Sequence, residues 1–310
     1  GLRAWELLVV DDGSTDATPQ VIAAAVREDP RIRLLPREHG GIVPALNSGL
    51  AAARGPFIAR MDADDVMLPH RLEAQAKLLQ ERGDIGLVSC LVEFGGDPIA
   101  AAGYAEHVAW ANGLVEHEQM ALERFIDAPV AHPSVMFRRE LVERFSGYTD
   151  GPEPEDYELW LRWLDAGVRF AKVPEVLLRW CDSPDRLSRA DPRYGESAFA
   201  RCRCRYLARW IRANVSNTRR LMLWGAGRVT RRRFAPLLEH GVTLSAYVDV
   251  DPRKVGTTVA GVPVIAPDAL PAADAAFIIG GVGVRGAREL HREILRGRGC
   301  VEGRDFLFAA

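Results

Sequence analysis

Strand-like apolar runs and helix-like segments alternate through the first two thirds of this chain. Leu7 to Val10, Phe57 to Met61 and Ile85 to Glu93 have the composition of strands, and helical patterns such as Thr18 to Glu28 lie between them. This alternation is typical of α/β layer folds with a largely parallel sheet. The sequence therefore predicts an α/β fold in which helices flank the sheet.

A second alternating series follows a helix predicted over Phe199 to Asn214. Leu221 to Trp224 is a strand that runs into Gly225-Ala226-Gly227, and Ala275 to Ile279 is a later strand of the same series. A series of roughly 95 residues is long enough for a small domain of its own. We therefore predict a first domain at 1–216, which includes the helix as a linker, and a second domain at 217–310.

The charge balance and the cysteines limit the classes of partner and compartment. Forty basic residues against 42 acidic residues leave a net charge of −2, which argues against nucleic acid as the main partner. The five cysteines are scattered and odd in number, which favours a reducing cytoplasm. The basic stretch 201–220 favours a linker helix packed between the domains, and a peripheral contact with anionic lipid at the inner face of the membrane is the alternative.

Two of the predicted strands end directly in acidic residues. Asp11-Asp12 follows the first strand, and Asp62-Ala63-Asp64-Asp65 follows Phe57 to Met61. Ligands of open α/β sheets bind at this end of the strands. Three carboxylates within four residues repel one another unless a cation such as Mg²⁺ or Mn²⁺ lies among them. If the strand continues, Asp62 and Asp64 point the same way. A plain turn with a helix cap, or a solvated loop, is the alternative at each place.

Glu155-Asp156 begins a predicted helix after a loop rich in glycine and proline. The helix dipole stabilises a carboxylate at this position as the anion. A transfer reaction needs a base in addition to a metal site. The pair is therefore a candidate for the base, and an ordinary N-terminal acid is the alternative.

Four motifs taken together resemble the family-2 glycosyltransferases of the GT-A fold in their order and spacing. They are Trp5 to Asp16, Ala45 to Gly55, Ala59 to Asp65 and Glu155 to Arg162, and the likeness covers about residues 1 to 190. The resemblance implies a GT-A type, mostly parallel sheet flanked by helices. It also implies metal-dependent, inverting transfer from a nucleoside-diphosphate sugar to a hydroxyl of a glycan or lipid-linked acceptor, in polysaccharide, glycolipid or glycan synthesis.

The resemblance also implies roles for particular residues. Asp156 is the expected general base, Asp62 and Asp64 are the expected metal ligands, and His132 and Glu155 are expected to contact acceptor or phosphate. The expected donor-binding residues are Asp11, Asp12, Asn47, Asp62, Arg179 and Arg186. Relatives have a histidine near Asp182-Ser183 and a first strand and helix before Trp5; neither is present here. An N-terminal piece is therefore expected to be missing.

The second series resembles a small Rossmann-like, dinucleotide-binding domain. Gly225 and Gly227 after a strand are expected to cradle a phosphate, and Asp249 is expected to meet a ribose, with NAD(P) as the implied cofactor. Thr230 stands where the fingerprint has a third small residue. An auxiliary or assembly role is the alternative for this domain.

Two further functions compete with glycosyl transfer. One is a nucleotidyltransferase on a related fold, which would need a glycine-rich, basic loop near the N-terminus. The other is a non-catalytic scaffold protein that binds a nucleotide sugar or a dinucleotide without turnover.

Overall fold

A computed structural model of the chain describes residues 2–183, 186–284 and 286–310. It divides into two compact units, Gly1–His117 with Val130–Arg189, and Glu118–Pro129 with Ala190–Ala310. The helix expected as a linker groups with the second unit, so this division falls earlier in the chain than the boundary placed near Ser216. The two domains as independently folding bodies stay a prediction.

The first part of the chain alternates strands and helices, including most of the segments that the sequence indicates. In chain order the elements up to residue 190 are β1 (Leu7–Asp11), α1 (Thr18–Glu28), β2 (Ile32–Pro36), α2 (Ile42–Ala52), β3 (Phe57–Ala59), β4 (Val66–Met67), α3 (Arg71–Glu81), β5 (Ile85–Phe94), α4 (Ala102–Asn112), α5 (His117–Glu123), β6 (Met136–Arg138), α6 (Glu140–Phe145), α7 (Glu155–Asp165), β7 (Arg169–Trp180) and α8 (Leu187–Ala190).

The main sheet of the first unit is mixed. Its strand order is β3-β6-β5-β7-β4, and only the β5–β7 pair is parallel. Strands β1 and β2 form a separate parallel pair. The predicted α/β class is confirmed, but this sheet is not largely parallel. Strands β4 and β6 have only two and three residues, and a periodic pattern cannot be recognised over so few positions.

A buried aromatic group holds α7 against the sheet. Trp160 and Trp163 are both fully buried, and their ring centroids are 5.8 Å apart. Phe137 of β6 contacts Trp163 edge-on, and Phe170 of β7 contacts Trp160 in the same way. Large aromatic side chains contribute strongly to core stability. This packing fixes the place where α7 begins, and with it the position of Glu155 and Asp156.

The later elements form one six-stranded sheet with helices. They are α9 (Glu196–Asn214), β8 (Arg220–Trp224), α10 (Arg228–Glu239), β9 (Ala246–Val248), β10 (Thr258–Val259), β11 (Val262–Ile265), β12 (Ala276–Gly280), α11 (Ala287–Gly297) and β13 (Phe306–Phe308). The sheet order is β10-β11-β9-β8-β12-β13, and every pair except β10–β11 is parallel. The five parallel strands have the chain order 3-2-1-4-5, which is the order of doubly wound sheets.

Glycines let α10 pack closely on this sheet. Gly225 has φ +122°, and a Cβ there would lie 2.9 Å from the Thr230 hydroxyl. A Cβ on Gly281, after β12, would lie 2.8 Å from the Thr230 methyl group. Thr230 therefore occupies space that both glycines leave open, and packing alone accounts for these two glycines.

Among the described residues, none of the helices combines the length and the apolar composition that a bilayer crossing requires.

A buried lysine gives the first unit a pH-dependent stability. Lys172 of β7 is 4% exposed and donates a hydrogen bond to the Ala111 carbonyl; burial lowers its pKa from the ordinary 10.5 to about 8. Between pH 8 and 10.5 the unfolded chain binds the extra proton, so stability rises with pH across this window. The difference between these two pKa values corresponds to about 3 kcal/mol.

We expect chemical denaturation to show this rise in the wild type, measured relative to Lys172→Met, between pH 8 and 10.5. Burial also raises the pKa of Cys90, but that thiol is present in both proteins and its direct contribution cancels in the comparison. Parallel stability curves for the two proteins would contradict the prediction.

Candidate functional site

The acidic loop after β3 is a turn and not a continued strand. Strand β3 ends at Ala59, two residues before the predicted end, so strand alternation does not reach Asp62 and Asp64. The turn is closed by a hydrogen bond of 3.3 Å from the Asp65 amide to the Asp62 carbonyl. It still gathers the carboxylates of Asp62, Asp64 and Asp65, each with an oxygen within 4.8 Å of the others.

The chemistry of the loop fits a divalent cation. Burial, followed by the charges of Asp62 and Asp64, raises the pKa of Asp65 to about 6. Asp65 Oδ1 accepts a hydrogen bond of 2.8 Å from the Cys181 amide, whereas its buried Oδ2 has no hydrogen-bond partner among the described residues. Mg²⁺ and Mn²⁺ prefer oxygen ligands, and their charge would relieve the repulsion. The three carboxylates are therefore a suitable set for either ion.

A buried arginine, which the sequence analysis did not single out, lies beside this loop. Arg60 is 8% exposed, and its guanidinium forms an ion pair with Asp62. Burial lowers the pKa of Arg60, but the attraction of Asp62, together with that of Asp156, outweighs burial and raises it. Arg60 thus lies within electrostatic reach of both the acidic loop and the predicted base. Its position two residues before Asp62 was the available signal.

Asp156 lies in the first turn of α7, as predicted. Its Oδ1 accepts a hydrogen bond of 2.7 Å from the Tyr157 amide, and the side chain is half-buried. The amides of the first turn and the Arg60 charge lie near this carboxylate. An aspartate side chain is of the type that accepts a proton in general base catalysis.

His132 belongs to a buried polar group next to Asp156. Its Nε2 lies 2.7 Å from the hydroxyl of Tyr148, and its Nδ1 lies 3.9 Å from an oxygen of the buried Glu155. Burial, followed by the Arg60 charge, holds the pKa of His132 well below its ordinary value. Burial also raises the pKa of Tyr148. Both are therefore neutral near pH 7, and Tyr148 is a further residue of the site that sequence reasoning missed.

The other predicted donor-binding residues near the N-terminus make hydrogen bonds within the protein. Asp11 Oδ1 accepts from the Ser14 amide at 3.0 Å, and Asp12 accepts from the amides of Gly40 and Gly41. Burial raises the pKa of Asp12, but these two amides, together with the charges of Arg37 and His39, lower it overall.

Asn47 is held in a similar way. Its side chain exchanges two hydrogen bonds of 2.9 Å with the backbone of Tyr148, and so connects α2 to the segment before α7. The donor-binding roles of Asp11, Asp12 and Asn47 stay predictions.

Two predicted donor-binding arginines lie at or after the end of β7. Arg179 is exposed and pairs in register with Val66 of β4, next to the acidic loop. Arg186 lies over the ring of Trp180 at 4.1 Å and donates to the Cys181 carbonyl. Its charge also lowers the pKa of Asp65 against the larger effect of burial. Arg186 is therefore close enough to the acidic loop to act on an anion bound there.

The predicted cofactor residues of the second unit lie at the carboxyl end of its sheet. Asp249 Oδ2 accepts from the Ala226 amide and from Lys254, each at 3.0 Å, and Oδ1 accepts from the Asp251 amide at 2.9 Å. Gly227 immediately precedes α10. Both oxygens of Asp249 thus already accept hydrogen bonds that a ribose hydroxyl would have to share or displace.

The α/β fold, with a carboxylate loop at the exit of a strand of a mixed sheet, is of the GT-A type. Residues 2–145 match the family model "Glycosyl transferase family 2". This part of the chain is thus similar to glycosyl transferase family 2; three of the four sequence motifs lie within the match, and Glu155 to Arg162 lies beyond it.

Named relatives match parts of the chain. The O-antigen biosynthesis glycosyltransferase WbnJ of Escherichia coli is 31% identical over 157 residues, 49% of this chain and 58% of that protein. The bifunctional glycosyltransferase pgtA of Dictyostelium discoideum is 28% identical over 191 residues, 52% of this chain and 25% of that protein. The chain spans less than two thirds of the length of each.

Among solved structures, the crystal structure of S. aureus TarS 1-349 in complex with UDP-GlcNAc is similar, with a TM-score of 0.52 and 16% sequence identity. The alignment covers 76% of this chain and 63% of that chain. At this level of identity the likeness shows the fold alone.

Proposed function

We propose that the chain transfers a sugar from a nucleoside-diphosphate sugar to an acceptor hydroxyl, with inversion at the anomeric carbon. The observation that carries the proposal is the buried Arg60, which pairs with Asp62 and also interacts with Asp156. The candidate metal-binding loop and the candidate base thus interact with the same buried charge. The match of residues 2–145 to glycosyl transferase family 2 supports the same reaction class.

The residues have separate tasks in this reaction. Asp62 and Asp64, with Asp65 beside them, would hold Mg²⁺ or Mn²⁺, which supplies positive charge for the departing diphosphate. Asp156 takes the proton of the acceptor hydroxyl as that oxygen bonds to the anomeric carbon and the bond from that carbon to the diphosphate oxygen breaks. Arg186, and Arg179 at the end of β7, are suited to pair with the diphosphate. His132 and Glu155 support the acceptor side.

The donor and the acceptor are proposed as chemical classes and not as particular compounds. TarS is named in complex with UDP-GlcNAc, and this supports a nucleotide sugar as the donor here. The family resemblance supports a glycan or lipid-linked acceptor, the scattered cysteines support a cytoplasmic location, and the basic stretch 201–220 supports a peripheral membrane contact. For the second unit, the doubly wound strand order supports a nucleotide ligand, but the bonded oxygens of Asp249 do not favour NAD(P).

The proposal is tested with a panel of UDP-, GDP- and dTDP-sugars, with Mn²⁺ and with EDTA. We expect one donor to be hydrolysed or transferred, with release of the nucleoside diphosphate that depends on Mn²⁺. Donor binding in a thermal-shift assay without any turnover would instead support the non-catalytic scaffold. Release of pyrophosphate from a nucleoside triphosphate and a sugar phosphate would reveal a nucleotidyltransferase.

A further inference from the structure

A second buried arginine lies behind the acidic loop. Arg71, the first residue of α3, is 1% exposed. Its Nη2 donates to the Arg60 carbonyl at 2.9 Å and to the Val135 carbonyl at 3.4 Å. One guanidinium therefore binds the backbone where the chain leaves β3 for the acidic loop and the backbone just before β6.

Gln75, one turn along α3, extends the same network. Its Oε1 accepts from Arg71 Nε at 3.0 Å, and its Nε2 donates to the carbonyls of Ser134, at 2.7 Å, and Val88, at 3.1 Å. Gln75 is fully buried. Because Ser134 belongs to the 3₁₀ turn that begins at His132, the Arg71–Gln75 pair connects three segments: the exit of β3, the His132 turn and β5.

Burial of the Arg71–Gln75 pair carries an unfavourable free energy, which a purely stabilising role does not explain. The described partners of the Arg71 guanidinium are two carbonyls, the Gln75 amide and the Met61 sulfur. Transferring a charged group into the interior without a paired counter-charge is unfavourable. Among the charged groups that influence the pKa of Arg71 after burial are Arg60 and Asp65, of which Asp65 belongs to the acidic loop.

We propose that Arg71 and Gln75 are positioning residues, which hold the acidic loop Asp62–Asp65 in the arrangement that binds a divalent cation. The inference rests on the proposed function, because it takes the loop to be the metal site. Residues behind metal ligands orient those ligands, and their loss lowers metal affinity by about 10- to 100-fold. Neither side chain touches the cation; both act through the backbone before the loop and before β6.

The test is a titration of the purified chain with Mn²⁺ alone, in which electron paramagnetic resonance measures the concentration of the free ion. Arg71→Lys and Gln75→Met are each expected to weaken Mn²⁺ binding by about 10-fold or more. The matched control is Arg138→Lys. Arg138 of β6 donates to the Leu79 and Arg82 carbonyls at the opposite end of α3, and to the Ile85 carbonyl at 2.9 Å. The Arg138→Lys variant also loses hydrogen bonds to backbone carbonyls, but these carbonyls lie away from the acidic loop.

Thermal unfolding of all four proteins separates a positioning role from a purely structural one. We expect the Arg138 variant to lose stability and keep wild-type Mn²⁺ affinity, while the folded Arg71 and Gln75 variants lose affinity. If the latter two bind Mn²⁺ within about twofold of the wild type, the positioning role is wrong and the proposed function is untouched. If the folded wild type does not bind Mn²⁺ at all, the metal site fails and the inference fails with it.

Discussion

Asp156→Asn is expected to lower the rate of sugar transfer by about 10²- to 10⁴-fold, the range that a positioned general base contributes. The amide keeps the shape of the carboxylate but cannot accept the proton of the acceptor hydroxyl. Donor affinity in the presence of Mn²⁺ is expected to stay within about twofold, because Asp156 lies on the acceptor side of the proposed site. Steady-state transfer rates, together with donor titration by calorimetry, measure both quantities.

The matched control is Asp165→Asn, the same substitution at the exposed last residue of the same helix. Its transfer rate is expected to equal that of the wild type. Glu155→Gln decides between the two neighbouring carboxylates, since Glu155 is buried beside His132. A large loss of rate in Glu155→Gln, with an unchanged rate in Asp156→Asn, would assign the general base to Glu155 and contradict the prediction.

The acidic positions were predictable because they depend on short-range order in the chain. Asp62 and Asp64 follow an apolar strand, and Asp156 opens a helix with a regular apolar face; both patterns are visible within about ten residues. The structure places all three as side chains that interact with one another or with Arg60. The exact end of β3 was missed, and with it the reason why the aspartates meet: a turn gathers them.

The buried cations behind the loop were not predictable in the same way. Nothing in the local sequence distinguishes Arg60 and Arg71 from surface arginines, and the partners of their buried guanidinium groups include Val135, which lies 64 residues after Arg71. Asn47 shows the same limit, because its partner Tyr148 is 101 residues away. Whether a polar side chain is free for a ligand depends on tertiary partners, which a local pattern does not contain.

The sequence pattern also did not predict which strands of the first unit are parallel and which are antiparallel. Strand β6 lies between β3 and β5 and is antiparallel to both, and its three residues arrive after a long segment with weak periodicity. In the second unit α10 joins β8 to β9 and α11 joins β12 to β13, and there the parallel arrangement agrees with the pattern.

Replacing the aspartates of the loop one at a time separates metal binding from stability. Asp64→Asn is expected to weaken Mn²⁺ binding by more than the roughly 10- to 100-fold that follows loss of an outer partner, because a ligand itself is removed. The variant should be as stable as the wild type or more so, since the charge of Asp64 is one of the causes that raise the pKa of Asp65. The Mn²⁺ titration and thermal unfolding measure these two effects.

Asp62→Asn should behave differently although the substitution is the same. It also weakens Mn²⁺ binding, but it leaves the buried Arg60 without the carboxylate that forms its ion pair. Loss of one partner of a buried, charged contact costs roughly 1–3 kcal/mol. We therefore expect a lower midpoint of thermal unfolding for Asp62→Asn than for Asp64→Asn. Equal stability of the two variants would show that Arg60 does not depend on Asp62, and would remove the electrostatic link between the metal loop and Asp156.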